Sequence, residues 1–339
     1  MADSMEYLTA GQIAVLKSII IKHRKLWQQT SKERPSYAPK CTFKMTDTDP
    51  FFQRTRPMNP TLRAALRTEI EKQLDMGVIR PSNSPYGSPV LLVPKPGSTK
   101  LRFVVDLRAL NSKIIADGYS LPNIEEILSS VEGGVMFTAL DLSNAFWSVE
   151  LEEKSRRFTS FTTSDGSYEW VQMPQGLKVA SAVFCRYLNA ALGSLRWQDC
   201  LCYLDDLLVA TKDFDTHAQA LAKIFLKLEE YGLTMSPKKC HIAAREASFI
   251  GQVISADGVR PNPDKIKAID ALTLPDSVSG MRTALGGLGY YKGSLHLPVA
   301  SLGWAGKLLV SNAAWPDLVA SMYLVLVGGD LACYLCGFI

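Results

Sequence analysis

Apolar positions recur at helical spacing in several stretches of the chain. Ile13, Leu16 and Ile20, with Trp27 further on, predict a short amphipathic helix within residues 11–29. Leu62, Leu66, Ile70 and Leu74 make a second stripe, which Asn59 can cap, Pro60 suits at its first turn and Gly77 can end. Phe184, Leu188, Leu192 and Leu195 predict a third helix, and Leu221, Phe225, Leu228 and Tyr231 a fourth, closed by Gly232. Two more helical segments are expected at 263–272 and 277–292. Elsewhere the period shortens. Residues 78–111 break into β-type runs divided by turn residues, with Pro94-Lys95-Pro96-Gly97-Ser98 as a hairpin tip between VLLV and LRFVV. Residues 135–142 (VMFTALDL) predict a strand ending in Asp141, and 201–211 predict two short strands around Leu204-Asp205-Asp206. The polar, proline-containing stretch 28–57 reads as an extended arm. Helices and strands mix without a regular βαβ rhythm or an internal repeat, which implies an α+β fold rather than a doubly wound sheet.

Composition narrows the class. A length of 339 residues suits two or three domains, and 47% hydrophobic with 21% charged residues excludes wholesale disorder, collagen-like repeats and coiled coil. The net charge of +4 is unevenly placed. Residues 1–120 hold 19 Lys and Arg against 10 Asp and Glu, whereas 121–339 hold 18 against 23. A basic surface in the first third, facing an anionic partner, is the expectation. The seven cysteines are odd in number and lie in apolar runs, which fits a reduced intracellular protein, in cytoplasm or nucleus, better than a disulfide framework. The N-terminus shows no apolar core behind a basic head, so no secretory signal is expected. Residues 318–339 are apolar apart from Asp330, but Gly328 and Gly329 split the run, so a buried hairpin or a tail without structural role is favoured over a membrane anchor. Cys333 and Cys336 have no second pair nearby, and a zinc site is not expected.

The most informative segment is Cys202-Tyr203-Leu204-Asp205-Asp206-Leu207-Leu208-Val209. Two adjacent carboxylates between apolar strands repel one another, and the flanking residues supply no cation. An exposed turn would explain an isolated Asp-Asp, but apolar residues on both sides imply a sheet lying on a core. A divalent cation would relieve the repulsion, since Mg2+ takes a few carboxylates together with phosphate oxygens and water. Asp141 ends another strand, and strand ends of one sheet can converge. Asp141, Asp205 and Asp206 could then clamp two metals roughly 3.5–4 Å apart for in-line phosphoryl displacement, as a nuclease or as a polymerase.

The motifs Leu140-Asp141-Leu142-Ser143-Asn144-Ala145-Phe146, Met173-Pro174-Gln175-Gly176-Leu177 and Tyr203-Leu204-Asp205-Asp206 resemble the central motifs of reverse transcriptases, closest to Gypsy-type LTR retrotransposons and retroviruses. Residues 77–85 and 102–111 resemble the fingers of the same family, and Gly232-Leu233-Thr234, Lys238-Lys239-Cys240 and Phe249-Ile250-Gly251 follow in the family's order. The likeness runs from about residue 50 to about residue 292. It implies an α+β right-hand polymerase fold, with an antiparallel palm sheet packed on helices. Fingers would occupy 58–115 and 149–179, palm 116–148 and 180–257, an abbreviated thumb 258–295, with an N-terminal helix and arm at 1–57 and a tail at 296–339. The resemblance assigns Asp141, Asp205 and Asp206 to two Mg2+ ions, with Mn2+ as the alternative, and Lys239 to protonation of the pyrophosphate leaving group. It assigns Lys95 and Arg102 to the triphosphate, Phe146 to exclusion of a ribose 2′-OH, and Gln175 with Gly176 to the loop against nucleotide and template. Tyr203, Phe249 and Gly251 fall to the primer and template, while Asp106 and Arg108 are expected to stabilise the fingers.

The implied partners are dNTPs and an RNA or DNA template with its primer, with self-association as a further expectation and no specific membrane partner. No ribonuclease H domain, aspartic protease motif or integrase-like zinc motif is expected in this sequence, and the likeness fades after Tyr291. The leading expectation is an RNA-directed DNA polymerase; a truncated, inactive nucleic-acid-binding remnant is the alternative, and a nuclease leaves the fingers motifs and Phe146 unexplained.

Overall fold

A four-stranded antiparallel sheet and a five-stranded mixed sheet organise most of the chain. The computed structural model describes residues 7–28, 35–94, 101–131 and 133–270. The expected hairpin tip at 94–98, apart from Pro94, the helix at 277–292 and the apolar run 318–339 therefore lie outside the described residues. Two compact units are present, one running up to Phe249 and the other starting at Ile250.

In the first unit, α1 (Ala10–Lys22) begins at a reciprocal cap: Gln12 N donates to Thr9 Oγ1 at 3.3 Å and Thr9 N donates to Gln12 Oε1 at 2.9 Å. A 3-10 turn follows at Arg24–Trp27. Of the expected extended arm, residues 35–57 join the rest through the isolated bridges Cys41↔Leu151, Met45↔Ile114 and Phe52↔Gly87. In α2 (Pro60–Asp75), Asn59 Oδ1 accepts from Leu62 N at 2.8 Å, and Leu66 and Ile70 are buried, as the stripe predicts.

The five-stranded sheet comprises β1 (Ile79–Pro81), β2 (Ser88–Pro94), β3 (Leu101–Val105), β5 (Phe161–Thr162) and β6 (Ser167–Trp170), in the order β1-β6-β5-β2-β3. The pairs Val90↔Val105 through Pro94↔Leu101 confirm the antiparallel β2–β3 pairing that the sequence predicts. Short helices α3 (Arg108–Lys113), α4 (Ile124–Ser129) and α5 (Glu153–Arg156) fill the connections.

The four-stranded sheet has the order β7-β8-β4-β9, from β4 (Met136–Asp141), β7 (Leu201–Tyr203), β8 (Asp206–Thr211) and β9 (His241–Ala244). Its central strands β4 and β8 are almost wholly buried, which explains their continuous apolar runs. The helices α6 (Ala180–Leu192) and α8 (Phe214–Glu230) pack together, with Phe184, Tyr187, Ile224 and Phe225 in the core. The third predicted helix differs in one respect. It stops at Leu192 because Gly193 takes φ 51°, and Leu195 instead begins the short α7 (Leu195–Gln198). A final strand, β10 (Glu246–Phe249), closes this unit.

The second unit opens with the hairpin β11 (Gln252–Ser255) and β12 (Gly258–Pro261), followed by α9 (Pro263–Asp270). Among the described residues no helix is long and apolar enough to cross a membrane, and the five described cysteines are free and buried.

One polar chain crosses the core beneath β4. Thr138 is fully buried in mid-strand, and its hydroxyl lies 2.7 Å from His217 Nε2 while accepting from Ala243 N at 2.8 Å. On the other side of the ring, Nδ1 lies 2.8 Å from Thr211 Oγ1, which itself donates to the Asp213 carbonyl at 3.2 Å. Every hydrogen is used when Nδ1 carries the single imidazole proton and Thr138 donates to Nε2. A second proton on Nε2 would turn that donor against a donor. Burial holds the His217 pKa down at about 4, with the Asp213 charge a smaller opposing influence. Because the folded value lies below the unfolded 6.5, this network stabilises the fold fully above pH 6.5 and loses its contribution as pH falls towards 4. Urea unfolding should show wild type losing about 3 kcal/mol relative to His217→Gln across that window. A pH-independent difference between the two would refute the coupling.

Candidate active site

The antiparallel ladder places Asp141, the last residue of β4, directly opposite Asp206, the first of β8. Between β7 and β8 the chain reverses in two residues, Leu204 and Asp205, with Tyr203 paired to Asp206. Leu204 takes φ 54°, a left-handed conformation that costs a non-glycine residue about 1 kcal/mol or more and persists only where the surroundings enforce it. One such restraint is the hydrogen bond from Leu142 N to the Asp205 carbonyl, 3.1 Å long, which ties the turn to the end of β4. Asp141 is itself anchored by its backbone. Its carbonyl accepts from Ser236 N at 2.9 Å, and its N–H points at Cys240 Sγ at 3.4 Å.

The electrostatics of the cluster are unbalanced. Burial, reinforced by the charges of Asp205 and Asp141, pushes the Asp206 carboxyl up to about 6, against the opposing pull of Lys239. Lys239 Nζ donates to Asp141 Oδ1 and Oδ2 at 3.2 and 2.9 Å, and this bond raises the pKa of the ammonium. Three carboxylates thus share one ammonium. Hard oxygen donors short of positive charge are the donor set a hard divalent cation takes. Among the described residues no three acidic, histidine or cysteine side chains are already gathered into a ligating group.

The remaining predicted residues fall into separate settings. Phe146 lies on a 3-10 turn (Ala145–Ser148) just beyond β4, half-buried, with its ring edge-on to Phe184 at 5.6 Å. Tyr203 is half-buried at the end of β7. Arg102 is exposed on β3, paired in register with Val93, whereas Lys95 lies outside the described residues. Gln175 and Gly176 are exposed in a loop before α6, and Gly176 takes φ 85°. Phe249 is buried at the end of β10, a core position. Gly251, in the second unit, takes φ 72°, and its carbonyl accepts from Asn262 N at 3.2 Å. Arg108 donates from Nε and Nη2 to Asp106 at 2.8 and 2.6 Å, which holds that carboxyl below its usual range and ties down the start of α3.

Two groups near these residues carry no role in the sequence reading. The thiol of Cys240, just before β9 on the strand next to β4, contacts the backbone of Asp141. Asn111, on α3, uses both ends of its carboxamide: Nδ2 donates to the Gly176 carbonyl and Oδ1 accepts from Lys178 N, each at 2.8 Å. Both pairings join residues more than sixty positions apart, so no local periodicity announces them.

Residues 93–254 match the family described as reverse transcriptase (RNA-dependent DNA polymerase). The retrovirus-related Pol polyprotein from transposon 297 of Drosophila melanogaster is 34% identical over 293 residues, covering 85% of this chain and 28% of that protein. The Pol polyprotein from transposon gypsy of the same organism is 32% identical over 282 residues, 81% of this chain and 27% of its own length. The enzymatic polyprotein of cauliflower mosaic virus (strain CM-1841) is 32% identical over 244 residues, 70% of this chain and 35% of that protein. The chain therefore spans about a quarter of the transposon polyproteins it matches. Among solved structures, the foamy viral protease-reverse transcriptase in complex with an RNA/DNA hybrid aligns with a TM-score of 0.76 at 23% identity, over 94% of this chain and 44% of that one. Its complex with double-stranded DNA aligns with a TM-score of 0.77 at 23% identity, over 94% and 68%. The fold is the right-hand polymerase fold that the sequence motifs imply. Residues 93–254 thus belong to the reverse transcriptase family, and the chain as a whole is similar to the retrovirus-related Pol polyproteins of gypsy-type transposons.

Proposed function

We propose that this chain is the RNA-directed DNA polymerase portion of a retrotransposon Pol polyprotein, adding dNTPs to a primer 3′-OH on an RNA or DNA template. The observation that carries the reading is the facing of Asp141 and Asp206 across the β4–β8 ladder, with Asp205 in the turn beside them. The four-stranded sheet then serves as palm, within 116–148 and 180–257, and the five-stranded sheet as fingers, within 58–115 and 149–179. The foamy viral relative's complexes with an RNA/DNA hybrid and with duplex DNA support nucleic acid as the partner.

Asp141, Asp205 and Asp206 would hold two Mg2+ ions, or Mn2+. Such ions, when bound, supply charge to lower the pKa of the attacking hydroxyl and to neutralise the leaving phosphates. The chain's own groups do the rest. The primer 3′-oxygen, its proton passing to water, bonds to the α-phosphorus as the bond from that phosphorus to the bridging β-phosphate oxygen breaks. Lys239 would give its proton to the departing pyrophosphate. Arg102 presents an exposed cation from β3 towards the triphosphate, the role that Lys95 shares in this proposal. Phe146, its ring braced by Phe184, forms a wall that a 2′-hydroxyl would strike. Tyr203 and the Gly176 loop would lie along the template–primer, with Phe249 and Gly251 shaping the backbone near the primer end. Strand contacts of this kind go mainly to phosphates and are salt-sensitive.

A second reading, binding without turnover, is favoured by the Lys239–Asp141 pair, which neutralises one of the three carboxylates in the structure. Primer extension separates the two. Wild type should incorporate dTTP on poly(rA)/oligo(dT) with Mg2+ and stop in EDTA, while Asp205→Asn and Asp206→Asn should each fall on the order of 10³-fold. Undiminished extension by either variant would defeat the polymerase reading, and tight template–primer binding by an inactive wild type would install the second. Lys239→Ala should lower kcat about 100-fold or more and leave template–primer affinity nearly unchanged. Phe146→Ala should raise the ratio of ribonucleotide to deoxyribonucleotide incorporation by at least about tenfold, since a lost clash favours the larger sugar selectively. An unchanged ratio would return Phe146 to the core.

A further inference from the structure

The segment 175–178 is held in an unusual way. Gly176 is exposed, takes φ 85°, and a Cβ placed on it would meet nothing within 4 Å. Packing therefore does not impose the loop's shape at its tip, and glycine has the widest choice of conformations there. One carboxamide fastens it on both flanks. Asn111 Nδ2 donates to the Gly176 carbonyl and Oδ1 accepts from Lys178 N, both at 2.8 Å. These two bonds span both sides of Leu177, which is buried and pins the middle of the segment. A third tie runs from Lys178 Nζ to the Ile114 carbonyl, also 2.8 Å, so the same loop is fastened twice to α3 and its C-terminal end.

The orientation of the Asn111 amide follows from its partners. Turned by 180°, its NH2 would face the Lys178 N–H and its oxygen the Gly176 carbonyl, two repulsive pairs in place of two bonds. Only an amide of this length satisfies both. Aspartate keeps the acceptor for Lys178 but sets a carboxylate oxygen against the Gly176 carbonyl, and alanine abandons both groups.

We propose that Asn111 is a positioning residue for the incoming nucleotide, acting through the backbone of Gln175 and Gly176 without itself touching the substrate. This rests on the polymerase reading of the Gln175–Gly176 loop and adds to it the strut that sets that loop's geometry. A misplacement on the scale of an ångström in such a loop weakens productive nucleotide binding far more than it weakens the grip on a nucleic-acid duplex. The strut joins the α3 end of the five-stranded sheet to the loop leading into α6, so the nucleotide-facing loop moves with α3.

Steady-state extension of oligo(dT) on poly(rA) by the full chain tests the assignment, with Asn111→Asp and Asn111→Ala beside wild type. The KM for dTTP should rise about tenfold or more in both variants, with kcat within about threefold and the Kd for template–primer within about twofold. Hydrogen–deuterium exchange should show faster uptake over residues 175–178 in both variants and unchanged uptake in β4 and β8. A role in general stability alone predicts loss of melting temperature with equal effects on KM and kcat, and that result overturns the proposal. A weakened template–primer Kd with an unchanged dTTP KM overturns it too, because Asn111 would then be a template contact. An inactive wild type sinks the polymerase reading instead, and the exchange arm then decides the strut: unchanged uptake over 175–178 refutes it.

Discussion

The register of β4 against β8 is the constraint on which the rest of this structure depends. Side chains alternate across a strand, so a slip of one residue would move Asp141 from the face it shares with Asp206 to the opposite one. The burial of β4 guards against that slip. Phe137, Thr138 and Leu140 are each within two per cent of complete burial, and a one-residue shift would exchange the surroundings of all three. Thr138 adds a polar lock, because its hydroxyl has partners only where His217 and Ala243 N stand. The apolar strand thus positions the carboxylates more firmly than any contact among the carboxylates themselves.

Those carboxylates work against the fold that holds them. Asp206 sits where its ionised form is disfavoured, Leu204 next to it occupies a costly backbone region, and the positive charge nearby is a lysine drawn to Asp141. A sheet with this much buried apolar area can carry such a cost at one edge.

Around that edge, elements far apart in the chain are joined by a few side-chain bonds to backbone. Asn111 links α3 to the Gln175–Lys178 loop, and Cys240 meets the backbone of Asp141. Side-chain bonds to backbone suit this purpose because the backbone is the part of a loop whose position a ligand reads.

Much of this architecture was legible in the amino-acid order alone. The stripe at Leu62, Leu66, Ile70 and Leu74 with its Asn59 cap, the strand ending in Asp141 and the reversal at Leu204-Asp205 are local patterns, written by 3.6- and 2-residue periods and by turn chemistry. The motif order carried the family and with it the right-hand fold. Other features were decided only by tertiary structure. That His217 stands beneath β4 and not at a surface, and that Asn111 braces Gly176, depend on residues brought together across the fold. A polar side chain's partner is chosen by three-dimensional proximity, and hydrogen bonds between distant segments leave no periodic trace in sequence.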